Sequence, residues 1–187
     1  MKNTLKKMSY FVAAAGLAGS MSVNAAPGIS YNYAALQFID QDVDDYDCNQ
    51  DGLRLSGSLE LNDDFFAIGS YSDVSGGRCG SEAISAGIGY HTLFGADSSM
   101  YGTLSAENIS PDSGDSDSGL IVAAGLRGFL NNNVEAKVEL SHHTAFDGNT
   151  VLGGGVAYWF APQFSVTADV GLGSEASEIG IGLRMNF

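Results

Sequence analysis

"SEIGIGLRMNF" closes the chain, from Ser177 to Phe187. Ile179, Ile181, Leu183, Met185 and Phe187 fall on one side of this stretch. Glu178, Gly180, Gly182, Arg184 and Asn186 fall on the other. A period of two is the mark of a β-strand with one apolar and one polar face. The composition of the polar face decides how the strand is used. A soluble sheet coats its outer face with lysines and other long polar chains. Here the polar face carries glycines, an asparagine and isolated charges of opposite sign, a poor solvent face but a suitable lumen wall.

Working back from this strand, nine further segments of about ten residues appear between turn signals, which makes ten in all: 29–39, 52–61, 65–73, 83–93, 99–108, 119–130, 134–144, 150–160, 164–172 and 177–187. In 164–172, Phe164, Val166, Ala168, Val170 and Leu172 oppose Ser165, Thr167, Asp169 and Gly171. In 134–144, Val134, Ala136, Val138 and Leu140 oppose Glu135, Lys137, Glu139 and Ser141. In 52–61, Leu53, Leu55, Leu59 and Leu61 oppose Arg54, Ser56, Ser58 and Glu60. Segments 29–39 and 65–73 leave their facing open.

The connections alternate in kind. "ND" (62–63), "GADS" (95–98), "NNN" (131–133) and "APQ" (161–163) are short. Asp40–Asp51, Val74–Glu82 and Ile109–Ser118 are longer and acidic. A chain of up-and-down hairpins produces this pattern, with short turns at one rim and longer loops at the other. The segment length matches the ~9–11 residues of an oblique transmembrane strand. Aromatics near segment ends (Tyr31, Tyr33, Phe65, Phe66, Tyr90, Tyr158, Trp159, Phe160, Phe164 and Phe187) are expected in the interfacial girdles. The predicted fold is all-β: a closed, antiparallel, up-and-down transmembrane barrel of ten strands, with eight as the alternative. An even number sets both termini at the short-turn rim, and closure removes the sheet edges.

The N-terminus agrees with export. Lys2, Lys6 and Lys7 precede the apolar run Phe11–Met21, and Val23-Asn24-Ala25 offers a cleavage site. Residues 1–25 are therefore expected to be a secretory signal, and 26–187 the barrel domain. Loss of those three lysines takes the formal charge from −14 to −17. Such a charge excludes a nucleic-acid footprint and favours cationic partners.

The terminal "GLRMNF" resembles the closing strand of Gram-negative outer-membrane barrels. "ISYNYAALQF", "DGLRLSGSLEL", "DDFFAIGSYS", "GIGYHTL" and "AYWFAPQFSVTADV" are similar to a family of small outer-membrane β-barrel proteins of poorly defined function. The resemblance implies an outer-membrane location, lipid as surroundings, and Phe187 as part of a signal read by the barrel-insertion machinery. It supplies no catalytic residue and no cofactor.

Few groups remain for chemistry. Asp47-Cys48-Asn49-Gln50-Asp51-Gly52 opens like a helix–loop–helix calcium site, but the twelfth position, which needs Glu, is Ser58, and a strand follows. Weak divalent-cation binding at the acidic loops is the residual expectation. Cys48 and Cys79, on neighbouring long loops of an exported chain, are expected to form a disulfide. His142 and His143 point to opposite faces of their strand, and His91 lies near the short-turn rim. The enzyme reading rests on His143 with Glu139 or Ser141, an incomplete set, so the chain is not expected to be an enzyme.

The inward charges are Arg54, Glu60, Glu107, Arg127, Glu135, Lys137, Glu139, Asp169, Glu178 and Arg184. Arg127 and Glu135 flank one turn symmetrically, and Glu60 or Glu178 is the expected partner of Arg184. Paired, these charges plug the lumen; hydrated, they line a narrow channel. The expected function is a monomeric outer-membrane barrel with a structural or surface-interaction role, and the alternative is a narrow porin-like channel.

Overall fold

The computed structural model describes residues 28–43, 48–77, 79–95, 97–174 and 176–187. The expected signal, residues 1–25, lies outside these, as does the centre of the first acidic stretch, residues 44–47. Ten strands follow in order: β1 (Tyr33–Val43), β2 (Cys48–Glu60), β3 (Phe65–Gly76), β4 (Cys79–Leu93), β5 (Ser98–Pro111), β6 (Asp117–Asn131), β7 (Val134–His143), β8 (Asn149–Ala161), β9 (Phe164–Gly173) and β10 (Ala176–Asn186). Each pairs antiparallel with its sequence neighbours, and β1 pairs with β10 to close the barrel. The count is ten, not eight.

The faces are inverted relative to a soluble barrel. Along β10, Ile179, Ile181, Leu183, Met185 and Phe187 point outward and are exposed. Their neighbours Gly180, Gly182, Arg184 and Asn186 are buried inside. Leu183 is 56% exposed and Arg184 9%. Leu53, Leu55, Ile84, Ile88, Leu104, Val122, Leu140 and Leu152 continue the apolar exterior around the barrel. Only lipid satisfies a closed belt of this kind, and closure leaves no strand without a partner on either side.

Two of the four short turns are built by asparagine. Asn62 Oδ1 accepts from the backbone N–H groups of Asp64 and Phe65, each at 3.0 Å. Asn131 Oδ1 does the same for Asn133 (2.9 Å) and Val134 (3.1 Å). A short amide side chain that bonds the backbone two or three residues on fixes a tight reversal.

At the opposite rim the acidic stretches are mostly ladder. β4 and β6 each reach 15 residues, beyond the ~9–11 that cross a bilayer. Asp40 stands opposite Asp51, Asp42 opposite Asn49, and Asp73 opposite Glu82. Alternation persists here in polar form: Gln41 and Gln50 face inward and bond each other at 2.9 Å, while the aspartates face out. Backbone ladder bonds do not require apolar side chains, so the sheet projects past the belt. Cys48 and Cys79, the first residues of β2 and β4, are joined by a disulfide with Cα atoms 6.4 Å apart.

Candidate functional site: the lumen

The lumen has two halves. At the short-turn end the chain turns inward before β1 begins. Tyr31 is 3% exposed. Its ring stacks on Phe66 (centroids 4.4 Å apart) and on His91 (4.2 Å), and its hydroxyl meets Ser99 Oγ at 2.9 Å. Arg127 lies over the same ring, 4.9 Å from its centroid. The Ser30 carbonyl accepts from Arg127 Nη1 (3.1 Å) and Arg184 Nη2 (3.0 Å). Glu60 accepts from the Tyr31 backbone N–H (2.8 Å) and from Asn32 Nδ2 (2.9 Å). Residues 30–32 thus form a stopper held by side chains of β2, β3, β4, β5, β6 and β10.

Glycine makes room for it. A Cβ on Gly89 would sit 2.1 Å from the Phe66 ring, and one on Gly125 would sit 2.6 Å from Tyr101. The glycine-rich inner wall is filled by aromatic rings here. His91 is held by its ring contacts, and among the described residues neither ring nitrogen has a hydrogen-bond partner.

Beside the stopper, one carboxylate serves two guanidiniums. Glu135 Oε1 accepts from Arg127 Nε at 2.8 Å and lies 3.4 Å from Arg184 Nη1. The side chains of Arg127 and Glu135 are only 6% and 5% exposed. Arg184 also covers the Tyr33 ring, 4.4 Å from its centroid, and the Trp159 ring, at 5.4 Å. Charge-assisted bonds and cation–π contacts replace the water these guanidiniums have lost.

Two expectations are corrected here. The partner of Arg184 is Glu135, not Glu60 or Glu178, because β7 faces β10 across the lumen. Tyr31, Tyr33, Phe66 and Trp159 belong to the lumen and not to the lipid girdle. Phe65, Tyr90, Tyr158, Phe164 and Phe187 do face outward. Arg127 and Glu135 do meet, but diagonally: Arg127 stands opposite Lys137, and Glu135 opposite Phe129.

The other half is mixed: Ile39 and Glu107 are buried there, while two ion pairs are more open. Arg54 clamps Glu178 with both terminal nitrogens, Nη2 to Oε2 at 2.6 Å, and Gln41 Nε2 donates to the same oxygen at 2.5 Å. Lys137 Nζ lies 3.1 Å from Asp169, which also accepts from Gln37 Nε2 at 2.6 Å. The Tyr101 hydroxyl donates to Glu139 at 2.6 Å. The side chains of Lys137 and Asp169 are 44% and 23% exposed.

The histidine expectation is also corrected. His143 Nδ1 lies 2.9 Å from Glu107 Oε2, so its carboxylate partner comes from β5 and is not Glu139 or Ser141. No serine hydroxyl is bonded to His143 among the described residues. His142 points outward and meets Thr150 Oγ1 at 2.9 Å. Glu107 and His143 are a linked pair without a nucleophile.

The sequence matches no protein-family model and no curated protein. Among solved structures, the chain is similar to an outer-membrane channel from Pseudomonas putida F1, at 10% identity and a TM-score of 0.50, over 89% of this chain and 100% of that one. A KdgM porin in complex with disordered oligogalacturonate aligns at 12% identity and a TM-score of 0.49, over 83% of this chain and 99% of that one. Neisserial surface protein A aligns at 15% identity and a TM-score of 0.45, over 84% and 98%. At such identities the likeness to the channel concerns fold alone. That shared fold, the closed ladder and the inverted faces agree: the chain is a small ten-stranded transmembrane β-barrel of the outer-membrane type.

Proposed function

We propose that this barrel is closed at rest and serves as an outer-membrane scaffold that presents an acidic rim to the outside, with no enzymatic activity. The observation that carries the reading is the stopper: Tyr31 is buried between Phe66, His91 and Arg127 at the short-turn mouth. Beyond it Arg54, Lys137 and His143 each meet a carboxylate and Glu139 is bonded to the Tyr101 hydroxyl, which favours a filled interior over a water column. At the far rim Asp40, Asp42, Asp51, Asp73 and Glu82 extend the ladder outward and draw divalent ions or a cationic surface. Planar-bilayer recording of the refolded protein tests closure: silent membranes are expected. Steady single-channel steps from the intact chain would replace this reading with that of a narrow channel.

A second reading, an open channel for small ions, has one observation in its favour. Lys137 and Asp169 keep part of their surface free inside the barrel, so the lumen has open space beside them.

A further inference from the structure

The stopper has an unusual attachment. Ser30, Tyr31 and Asn32 precede β1 and take no part in its ladder. One backbone bond reaches them from the closing end, Phe187 N–H to the Asn32 carbonyl at 3.2 Å. Among the described residues every other contact uses a side chain: two arginines on one carbonyl, a tyrosine between rings, a carboxylate on the Tyr31 N–H, and the Asn32 amide on Glu60, whose backbone N–H donates to Asn32 Oδ1 at 2.8 Å. The rest of the wall is held by strand pairing around the full circumference. Withdrawal of three residues therefore breaks no strand-to-strand bond. Local openings of this kind lie at the low end of a protein's stability range.

The charges that would line the opened path are unequal. In the mouth, Glu60 and Glu135 balance Arg127 and Arg184. Above it, Glu107, Glu139, Asp169 and Glu178 outnumber Arg54 and Lys137, with His143 the remaining basic group. The acidic rim adds to the same sign. A low-dielectric tube lined by excess carboxylate raises the local concentration of cations.

We infer that residues 30–32 are a displaceable gate, and that the lumen behind it is a pathway for small inorganic cations, closed while Tyr31 is seated. The inference rests on the closed reading above, since a lumen that already conducts has no need of a gate. Withdrawal exchanges the Tyr31 stacks and the Ser30 carbonyl bonds for water on Arg127 and Arg184. Those two arginines keep Glu135 between them, so the mouth does not collapse into unpaired charge.

The experiment compares three full-length proteins, refolded and recorded in planar bilayers under a KCl gradient: the unaltered chain, Tyr31→Ala, and a deletion of residues 28–32. Heat-modifiable migration reports folding of each. The expected result is silence from the unaltered chain, and conductance steps from both variants with a reversal potential on the potassium side. If the deletion fails to fold, Tyr31→Ala carries the test alone, because it retains every backbone contact. Silence from a folded variant beside a silent parent overturns the gate and leaves the closed reading standing. Conductance from the unaltered chain overturns the closed reading and the gate with it. A chloride-sided reversal potential in the variants overturns the cation pathway.

Discussion

The same chemistry has different surroundings in the two halves of the lumen. At the short-turn end Arg127 and Glu135 are 6% and 5% exposed and are packed against Tyr31. Toward the acidic rim Arg54 and Glu178 are 27% and 21% exposed, and Lys137 and Asp169 are 44% and 23% exposed. An ion pair sealed from water is costly to break, because the orphaned charge cannot be hydrated. A pair that water already reaches loses little when one member goes. The comparison teaches that a plug is defined by what surrounds its charges and not by their number.

The sharpest way to break this contrast is at Glu135. Glu135→Leu leaves Arg127 and Arg184 charged, buried and mutually repelling. The expected loss of unfolding free energy is about 3–5 kcal/mol in urea titration of the refolded barrel. An unchanged midpoint would mean that water reaches this end as freely as the other.

The disulfide sets a separate scale, since it acts largely on the unfolded chain. Replacing Cys48 and Cys79 together by serine is expected to cost about 2–4 kcal/mol globally. Amide exchange should accelerate at the starts of β2 and β4 and remain slow around Tyr31. Faster exchange at the stopper instead would tie the two halves together more closely than the geometry does.

Arg184→Leu comes next. Glu135 keeps its shorter contacts to Arg127, so the loss comprises the bonds to the Ser30 carbonyl and to Asn186 Oδ1, the long contact to Glu135, and the contacts with Tyr33 and Trp159. About 1–3 kcal/mol is expected, less than for Glu135→Leu. The reverse order of the two would show that Arg184, and not Glu135, is the hub.

The smallest effect belongs to the wet half. Lys137→Met strands Asp169 where water and Gln37 still reach it, and should cost about 0–1 kcal/mol. A loss as large as that of Glu135→Leu would remove the distinction between the halves.

Much of this was legible in the sequence, for physical reasons that differ by element. Alternation in β10 and β9 states both the strand and its facing, because large apolar and small polar residues never share a side there. The same parity, carried one step past Val156 and Tyr158, places Trp159 inside; reading its aromaticity as a girdle signal hid that. Tyr31, just before β1, and Tyr33, its first residue, share the parity of Gln37, and that face looks inward. The stopper itself reads as the start of a strand, because a segment that alternates but finds no ladder partner looks the same in one dimension. Ion-pair partners were legible within a hairpin, as for Arg127 and Glu135. Arg184 found Glu135 from three strands away across the lumen, and strand counting carries no such information. The acidic stretches read as loops because polar alternation is a weaker signal than apolar alternation.

The central claim, a dry stoppered end below a wet one, is tested most directly by the ordered water positions in a high-resolution experimental structure of the lumen. Water is expected among Arg54, Glu178, Lys137 and Asp169, with an interrupted file at Tyr31, whose ring stays against Phe66 and His91. A continuous file of waters running past Tyr31 from one rim to the other would contradict it.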